Sequence, residues 1–185
     1  MMPIWIGSTL FRKPFSRGGL FCLAFLIALY LADSSDALRA SDTLIGRVAP
    51  SFARHSLHGE TVNLSSYRGK VVLLNLWATW CGPCRTELPR FDRWQAKYQA
   101  RGLQALAISM DDDPALARGV VEKLRLHFPV AMGDSQLGSL YGGIFGLPVT
   151  YLIDRDGIAN KRIEGEAKSD LLERETVDLL SEPDR

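Results

Sequence analysis

The sequence predicts an α/β fold: a mixed central β-sheet flanked by helices, with an N-terminal β-hairpin extension. Three observations predict it. Two apolar runs of strand length, Val71–Trp77 and Leu103–Met110, lack polar alternation, as strands covered on both faces do. Each is followed by a stretch whose apolar residues recur at helical spacing. A turn signature, Asp154-Arg155-Asp156-Gly157, then joins Val149–Ile153 to Ile158–Glu164 as a hairpin. Strands alternating with helices and closed by a hairpin and a last helix make a layered sandwich.

The elements follow in order along the chain. Arg12, Lys13 and Arg17 precede a 13-residue apolar run, Leu20–Ala32, and Asp33 and Asp36 follow it. A basic flank, a short apolar stretch and a small-residue polar segment form the pattern of an export signal. At 1.5 Å per residue the run spans only ~20 Å, short for a ~30 Å hydrocarbon core. Residues 1–37 are therefore read as a signal peptide cut after Ala37, with Ala40 as a second option, or as a short membrane anchor. Either way the domain is exported, because the positive flank stays inside. Cys22 falls within the apolar run and reads as a small hydrophobe. Residues 38–43 form a tether, and 44–185 the folded domain. Within that domain, Thr61–Leu64 after the His58-Gly59 turn is a hairpin arm. A helix is expected from about Cys84 to Ala100, kinked at Pro89, which lacks a backbone donor. Asp113 caps a second helix with Pro114 in its first turn and Leu116, Val120 and Leu124 on its inner face. A final amphipathic helix covers roughly Ser169–Leu180.

Composition narrows the function. The 185 residues carry 22 basic and 21 acidic side chains. Three of the basic and two of the acidic ones lie in residues 1–37, so the remainder holds 19 of each. A neutral domain without a basic patch is not a nucleic-acid binder. Three cysteines are too few for a disulfide-stapled scaffold or a cysteine-only zinc cage.

Chemistry concentrates in Trp80-Cys81-Gly82-Pro83-Cys84, where a buried strand gives way to a helix. Thiols three residues apart can close a disulfide across the first helical turn. The first sits at the helix N-terminus, where unpaired N–H groups and the helix dipole favour a thiolate. Cys81 is accordingly the expected nucleophile, and Cys84, one turn deeper, the resolving thiol. A purely structural disulfide closing so small a loop would add little stability. A metal site needs further ligands, for which His55, His58 and His127 are the candidates, none in a second paired motif.

Trp77 to Cys84, WATWCGPC, resembles the active-site segment of the thioredoxin fold. Gly46-Arg47-Val48-Ala49-Pro50-Ser51-Phe52, Tyr67-Arg68-Gly69-Lys70 and the VVLLNLWATWCGPCRTELP stretch are similar to the TlpA-like branch of the redoxin/AhpC-TSA superfamily. Gly146-Leu147-Pro148-Val149-Thr150 resembles the cis-proline loop that faces the cysteines in that fold. The resemblance covers about residues 44–180 and implies an exported thiol–disulfide oxidoreductase of thioredoxin-like sandwich fold. It implies a cis bond before Pro148, which leaves the Leu147 backbone free to pair with an extended substrate strand. Trp80, Gly82, Pro83, Leu147 and Pro148 are then the expected substrate contacts. Glu87 lies one helical turn after Cys84, so its carboxylate can face the second thiol. Thioredoxin itself has a buried Asp where this chain has Asn75, which cannot transfer protons. That leaves Glu87 as the catalytic titratable group, against the alternative of a solvated helix glutamate.

The Gly82-Pro83 dipeptide and the branch resemblance imply a periplasmic reductant, secreted across or tethered to the inner membrane. Its substrates would be protein disulfides, with apocytochrome c during cytochrome c maturation as the leading one. A membrane electron donor would recharge the dithiol. No cofactor beyond the redox-active Cys81–Cys84 pair, no nucleic acid and a monomeric state are expected. An oxidase or isomerase is the neighbouring alternative. A copper metallochaperone using Cys81, Cys84 and His127 is the alternative of another class. Peroxidase chemistry is disfavoured, because Cys81 lacks the P-x-x-x-T-x-x-C setting of peroxiredoxins.

Overall fold

The computed structural model describes residues 44–182. The leader, its Cys22 and the tether expected over 38–43 lie outside the described residues. The element order is β1 (Ala53–His55), β2 (Thr61–Asn63), β3 (Val71–Trp77), α1 (Gly82–Tyr98), β4 (Leu103–Ser109), α2 (Pro114–Leu124), β5 (Val130–Met132), α3 (Ser135–Leu140), β6 (Val149–Ile153), β7 (Ala159–Glu164) and α4 (Ser169–Ser181). Five strands form one sheet in the order β5-β4-β3-β6-β7. β3, β4 and β5 run parallel, while β6 and β7 pair antiparallel, so the sheet is mixed as expected. β1 and β2 make the separate N-terminal hairpin, tied to the edge of β5 by the bond from Leu57 N to Val130 O at 2.8 Å.

β3 shows why the central strands read as unbroken apolar runs. Side chains alternate across a strand. Val71, Leu73 and Trp77 enter the core beneath α1, α2 and α4, while Val72, Leu74 and Leu76 enter the core on the other face. That second core is closed by α3 through Leu137 and by the N-terminal segment through Ala49, Phe52, Val62 and Leu64. Every residue of β3 and β4 is buried. Among the described residues no helix is long and apolar enough to cross a membrane.

Several boundaries and one helix face differ from the sequence reading. α1 begins at Gly82, because Cys81 caps it and Pro83, with no N–H to satisfy, fits the first turn. It then continues through Pro89 to Tyr98. β4 stops at Ser109 rather than Met110. In α2 the inner face is Ala117 and Val121, with Val120 and Leu124 flanking it, whereas Leu116 is 58% exposed. The helix is turned by one residue, so that Ala117 is buried and Leu116 faces solvent.

The closing hairpin uses the anticipated turn. Asp154 Oδ1 accepts the Ile158 N–H at 2.8 Å, and Gly157 takes φ = +73°, a left-handed conformation that favours glycine. β5 and α3 were not anticipated. Three and six residues are too short for a periodic pattern to register.

Candidate active site

β3 ends at Trp77, and the chain turns through Ala78, Thr79 and Trp80 before α1. The turn is closed by Cys81 N donating to Ala78 O at 3.1 Å. Cys81 is the N-cap of α1, and its sulfur accepts the Cys84 N–H at 3.2 Å. The two cysteines form a disulfide, with Cα atoms 5.3 Å apart. Cys84 is fully enclosed in the core under α1, while Gly82 and Pro83 between the sulfurs are exposed. A sulfur at this position receives a backbone donor and faces the positive end of a 17-residue helix. Both features favour its anion.

The sheet brings the proline loop to the same end. Leu76 of β3 pairs with Val149 of β6, so the Leu147–Pro148 step stands beside the turn that follows Trp77. The bond between Leu147 and Pro148 is cis, and Pro148 O accepts the Gly165 N–H at 2.8 Å. An open groove of about 410 Å³ runs from the loop residue Leu147 to Trp80, the neighbour of Cys81 in the chain, with Met110, Ile144 and Phe145 also in its walls. No residue lining it is charged. Trp80 is 71% exposed and Phe145 81%. Large apolar side chains presented to solvent beside a reactive pair suit an apolar polypeptide segment. Trp77, by contrast, is fully buried, as expected of a packing residue.

Glu87 is 0% exposed, which excludes the solvated-helix alternative. Its Oε1 accepts the Ala167 N–H at 2.6 Å, and its Oε2 has no hydrogen-bond partner among the described residues. Burial pushes its pKa above the ordinary carboxylate value. The Ala167 N–H and the Arg90 charge oppose that shift, and Glu166 adds to it. The result is a carboxyl group, one turn beyond Cys84, with one oxygen uncommitted. Asn75 is also buried: its Nδ2 donates to Thr150 Oγ1 at 2.9 Å, across the paired positions of β3 and β6.

The histidines are not brought to the sulfurs as a set. His55 lies in β1, and His58 in the turn that follows it. His127 Nδ1 is 2.9 Å from Asp92 Oδ2, and its backbone N donates to Asp92 Oδ1 at 2.7 Å. Asp92 is eight residues beyond Cys84 on α1, about 12 Å along the axis. Among the described residues no group of three or more His, Cys, Asp or Glu side chains is arranged to hold a metal ion.

The sequence reading missed Asp111. This buried carboxylate accepts the Thr79 N–H (2.9 Å to Oδ2, 3.1 Å to Oδ1), the Thr79 hydroxyl (2.7 Å) and the Ser109 hydroxyl (2.7 Å). The run Asp111-Asp112-Asp113 concealed it, because only the last of the three carries a helix-cap signature.

Comparison with known proteins agrees with this geometry. Residues 45–162 match the model of the AhpC/TSA family. The thiol-disulfide oxidoreductase ResA of Bacillus thuringiensis subsp. konkukian is 35% identical over 130 residues, which cover 70% of this chain and 75% of that relative. The crystal structure of a candidate thiol:disulfide interchange protein DsbE from Chlorobium tepidum superposes with a TM-score of 0.70 at 36% identity, covering 74% of this chain and 98% of that one. A secreted thiol-disulfide isomerase from Corynebacterium glutamicum gives 0.67 at 26% identity, covering 74% and 86%. With the family model spanning most of the described residues and the fold shared throughout, the chain belongs to the AhpC/TSA family and is a thiol–disulfide oxidoreductase of thioredoxin-like fold.

Proposed function

We propose that the protein reduces disulfides of other proteins outside the cytoplasm, with Cys81 as attacking thiol and Cys84 as resolving thiol. The observation that carries this reading is the place of Cys81: N-cap of α1, sulfur bonded to the Cys84 N–H, directly after Trp80 of an uncharged groove. In the reduced protein the Cys81 thiolate attacks one sulfur of a substrate disulfide. A Cys81–substrate bond forms, the substrate bond breaks, and the departing substrate thiolate takes up a proton. Cys84 then gives its proton to the uncommitted oxygen of Glu87 and attacks the Cys81 sulfur. This breaks the Cys81–substrate bond, closes the Cys81–Cys84 disulfide and releases the second substrate sulfur as a thiolate, which takes up a proton as Glu87 gives its own back to solvent. Two electrons have passed to the substrate, and a dithiol donor in the membrane restores the pair. Trp80, Gly82, Pro83, Leu147 and Pro148 line the approach, with the Leu147 backbone available to an extended strand.

The Gly82-Pro83 dipeptide and the basic–apolar–polar leader support a periplasmic reductant, released or tethered at the inner membrane. Apocytochrome c, whose CxxCH cysteines must be reduced before haem attachment, is the proposed substrate. The test is a trap. Cys84→Ser leaves Cys81 able to attack and unable to be released, so the partner should be recovered as a mixed disulfide on Cys81 and identified by mass spectrometry. The midpoint potential of the pair should lie nearer the ~−270 mV of thioredoxin than the ~−120 mV of DsbA. A value near the latter would make the protein an oxidase.

A further inference from the structure

We propose that Asp111 is a positioning residue for the dithiol. This rests on Cys81 being the attacking sulfur. Three donors converge on the carboxylate: the Thr79 N–H, the Thr79 hydroxyl and the Ser109 hydroxyl. Asp111 N in turn donates to Ser109 Oγ at 3.2 Å. Two of the donors belong to the turn between β3 and α1, and the third to the last residue of β4. Asp111 thereby bolts the turn that carries Trp80 and Cys81 to the end of the neighbouring strand. A second bolt lies beside it, where Met110 N donates to Trp77 O at 2.8 Å. Met110 and Trp80 both line the groove, so these bonds bear on its shape as well as on the height of Cys81.

Disulfide exchange makes this placement matter. The attacking sulfur must approach along the line of the bond it breaks, within a substrate already held by the groove. Errors of about 1 Å in such a placement slow a reaction by up to about 100-fold. Ala78 and Cys81 at the ends of the turn are buried, whereas Trp80 is largely exposed, so the bonds from Thr79 to Asp111 are what fix the middle of the turn. The carboxylate does not touch either sulfur; it acts through Thr79.

The prediction separates geometry from thiol reactivity. Iodoacetamide alkylates Cys81 without needing the groove, whereas a protein disulfide needs both. In the reduced full chain, Asp111→Ala should slow exchange with a protein disulfide about ten-fold, chiefly through kcat. The iodoacetamide rate at a pH where Cys81 is fully ionised should change less than two-fold. Asp111→Asn keeps an oxygen for Thr79 and should recover most of the exchange rate. Should Asp111→Ala fail to fold, Thr79→Val removes one of the three bonds, leaves the carboxylate in place and should show a smaller slowing of the same kind. Wild-type exchange by Asp111→Ala, or by Thr79→Val if the alanine variant does not fold, would overturn the proposal. So would a parallel fall in both reactions, or an asparagine variant as slow as the alanine one. If instead the wild-type protein exchanges through Cys84 first, it is the reading of Cys81 that fails.

Discussion

Glu87→Gln is the perturbation that speaks most directly to the proton chemistry of this site. The side chain has no solvent exposure, one hydrogen bond from Ala167 N and one oxygen without a partner. Its pKa in the fold is raised above the ordinary 4.5, chiefly by burial. The sign of the linkage follows. Between 4.5 and the raised value, the native protein holds a proton that the unfolded chain has already released. Stability therefore falls as pH rises through that window, and the loss is complete above the folded pKa. Each unit of upward displacement is worth about 1.4 kcal/mol. Glutamine keeps an oxygen for Ala167 N and never ionises, so its stability should not fall in that window.

Urea unfolding of the oxidised proteins from pH 4 to 8 isolates the effect, because cysteines in a disulfide do not titrate and other groups cancel in the difference. Above the raised pKa, Glu87→Gln should be the more stable by about 1 kcal/mol or more, the scale of an unsatisfied buried polar group. That corresponds to a rise in Tm of about 2–4 °C per kcal/mol for a domain of this size. In the reduced form the same variant should exchange disulfides more slowly, with a shifted pH profile. Parallel stability curves would refute the reasoning. So would a glutamine variant that loses ground as pH rises.

Three further outcomes follow from the same geometry. Trp80→Ala should leave stability within about 0.5 kcal/mol, since the ring is exposed, while raising KM for a protein disulfide several-fold and leaving reduction of the pair by dithiothreitol unchanged. Asn75→Asp should destabilise by about 1–3 kcal/mol at pH 8, where the new carboxylate is buried beside the Thr150 hydroxyl, and the deficit should shrink as pH falls toward 4; urea midpoints at pH 8 and pH 4 read both. Leu88→Ala, in the fully buried row of α1, should cost about 2–5 kcal/mol in the oxidised protein by urea unfolding.

What the sequence made legible was local chemistry. β3 announced itself because both its faces are covered, and the Asp154–Gly157 turn because its residues are the ones that turn type needs. The cysteine pair was readable because a strand-to-helix step fixes the first thiol at a helix N-terminus. What stayed hidden depends on contacts distant in sequence. Whether Glu87 is solvated or enclosed is decided by Ala167, 80 residues on and delivered by the chain beyond β7. The inner face of α2 went to Ala117 and Val121 and not to Leu116, a rotation that apolar spacing within the helix does not set. Asp111 was one aspartate in a run of three until β4 placed it under Thr79.

The two buried carboxyl groups near the dithiol differ in how their oxygens are spent, and that difference implies opposite behaviour under the same substitution. Glu87 has an oxygen in reserve, whereas both oxygens of Asp111 accept bonds. A group with an oxygen in reserve can exchange a proton but destabilises the fold when charged. A group with every oxygen engaged holds geometry, and its charge is matched by donors. Replacing Glu87 with Gln should therefore raise stability above the raised pKa of Glu87 and slow exchange. Replacing Asp111 with Asn sets an amide N–H₂ against donors and should lower stability by about 1 kcal/mol, yet leave exchange largely intact. Measured together, by urea unfolding above the raised pKa of Glu87 and by exchange with one protein disulfide, the two variants should move in opposite directions in stability, and only the Glu87 variant should exchange markedly more slowly. If both variants lose stability, or both slow exchange alike, the division of labour between a proton carrier and a positioning group is wrong.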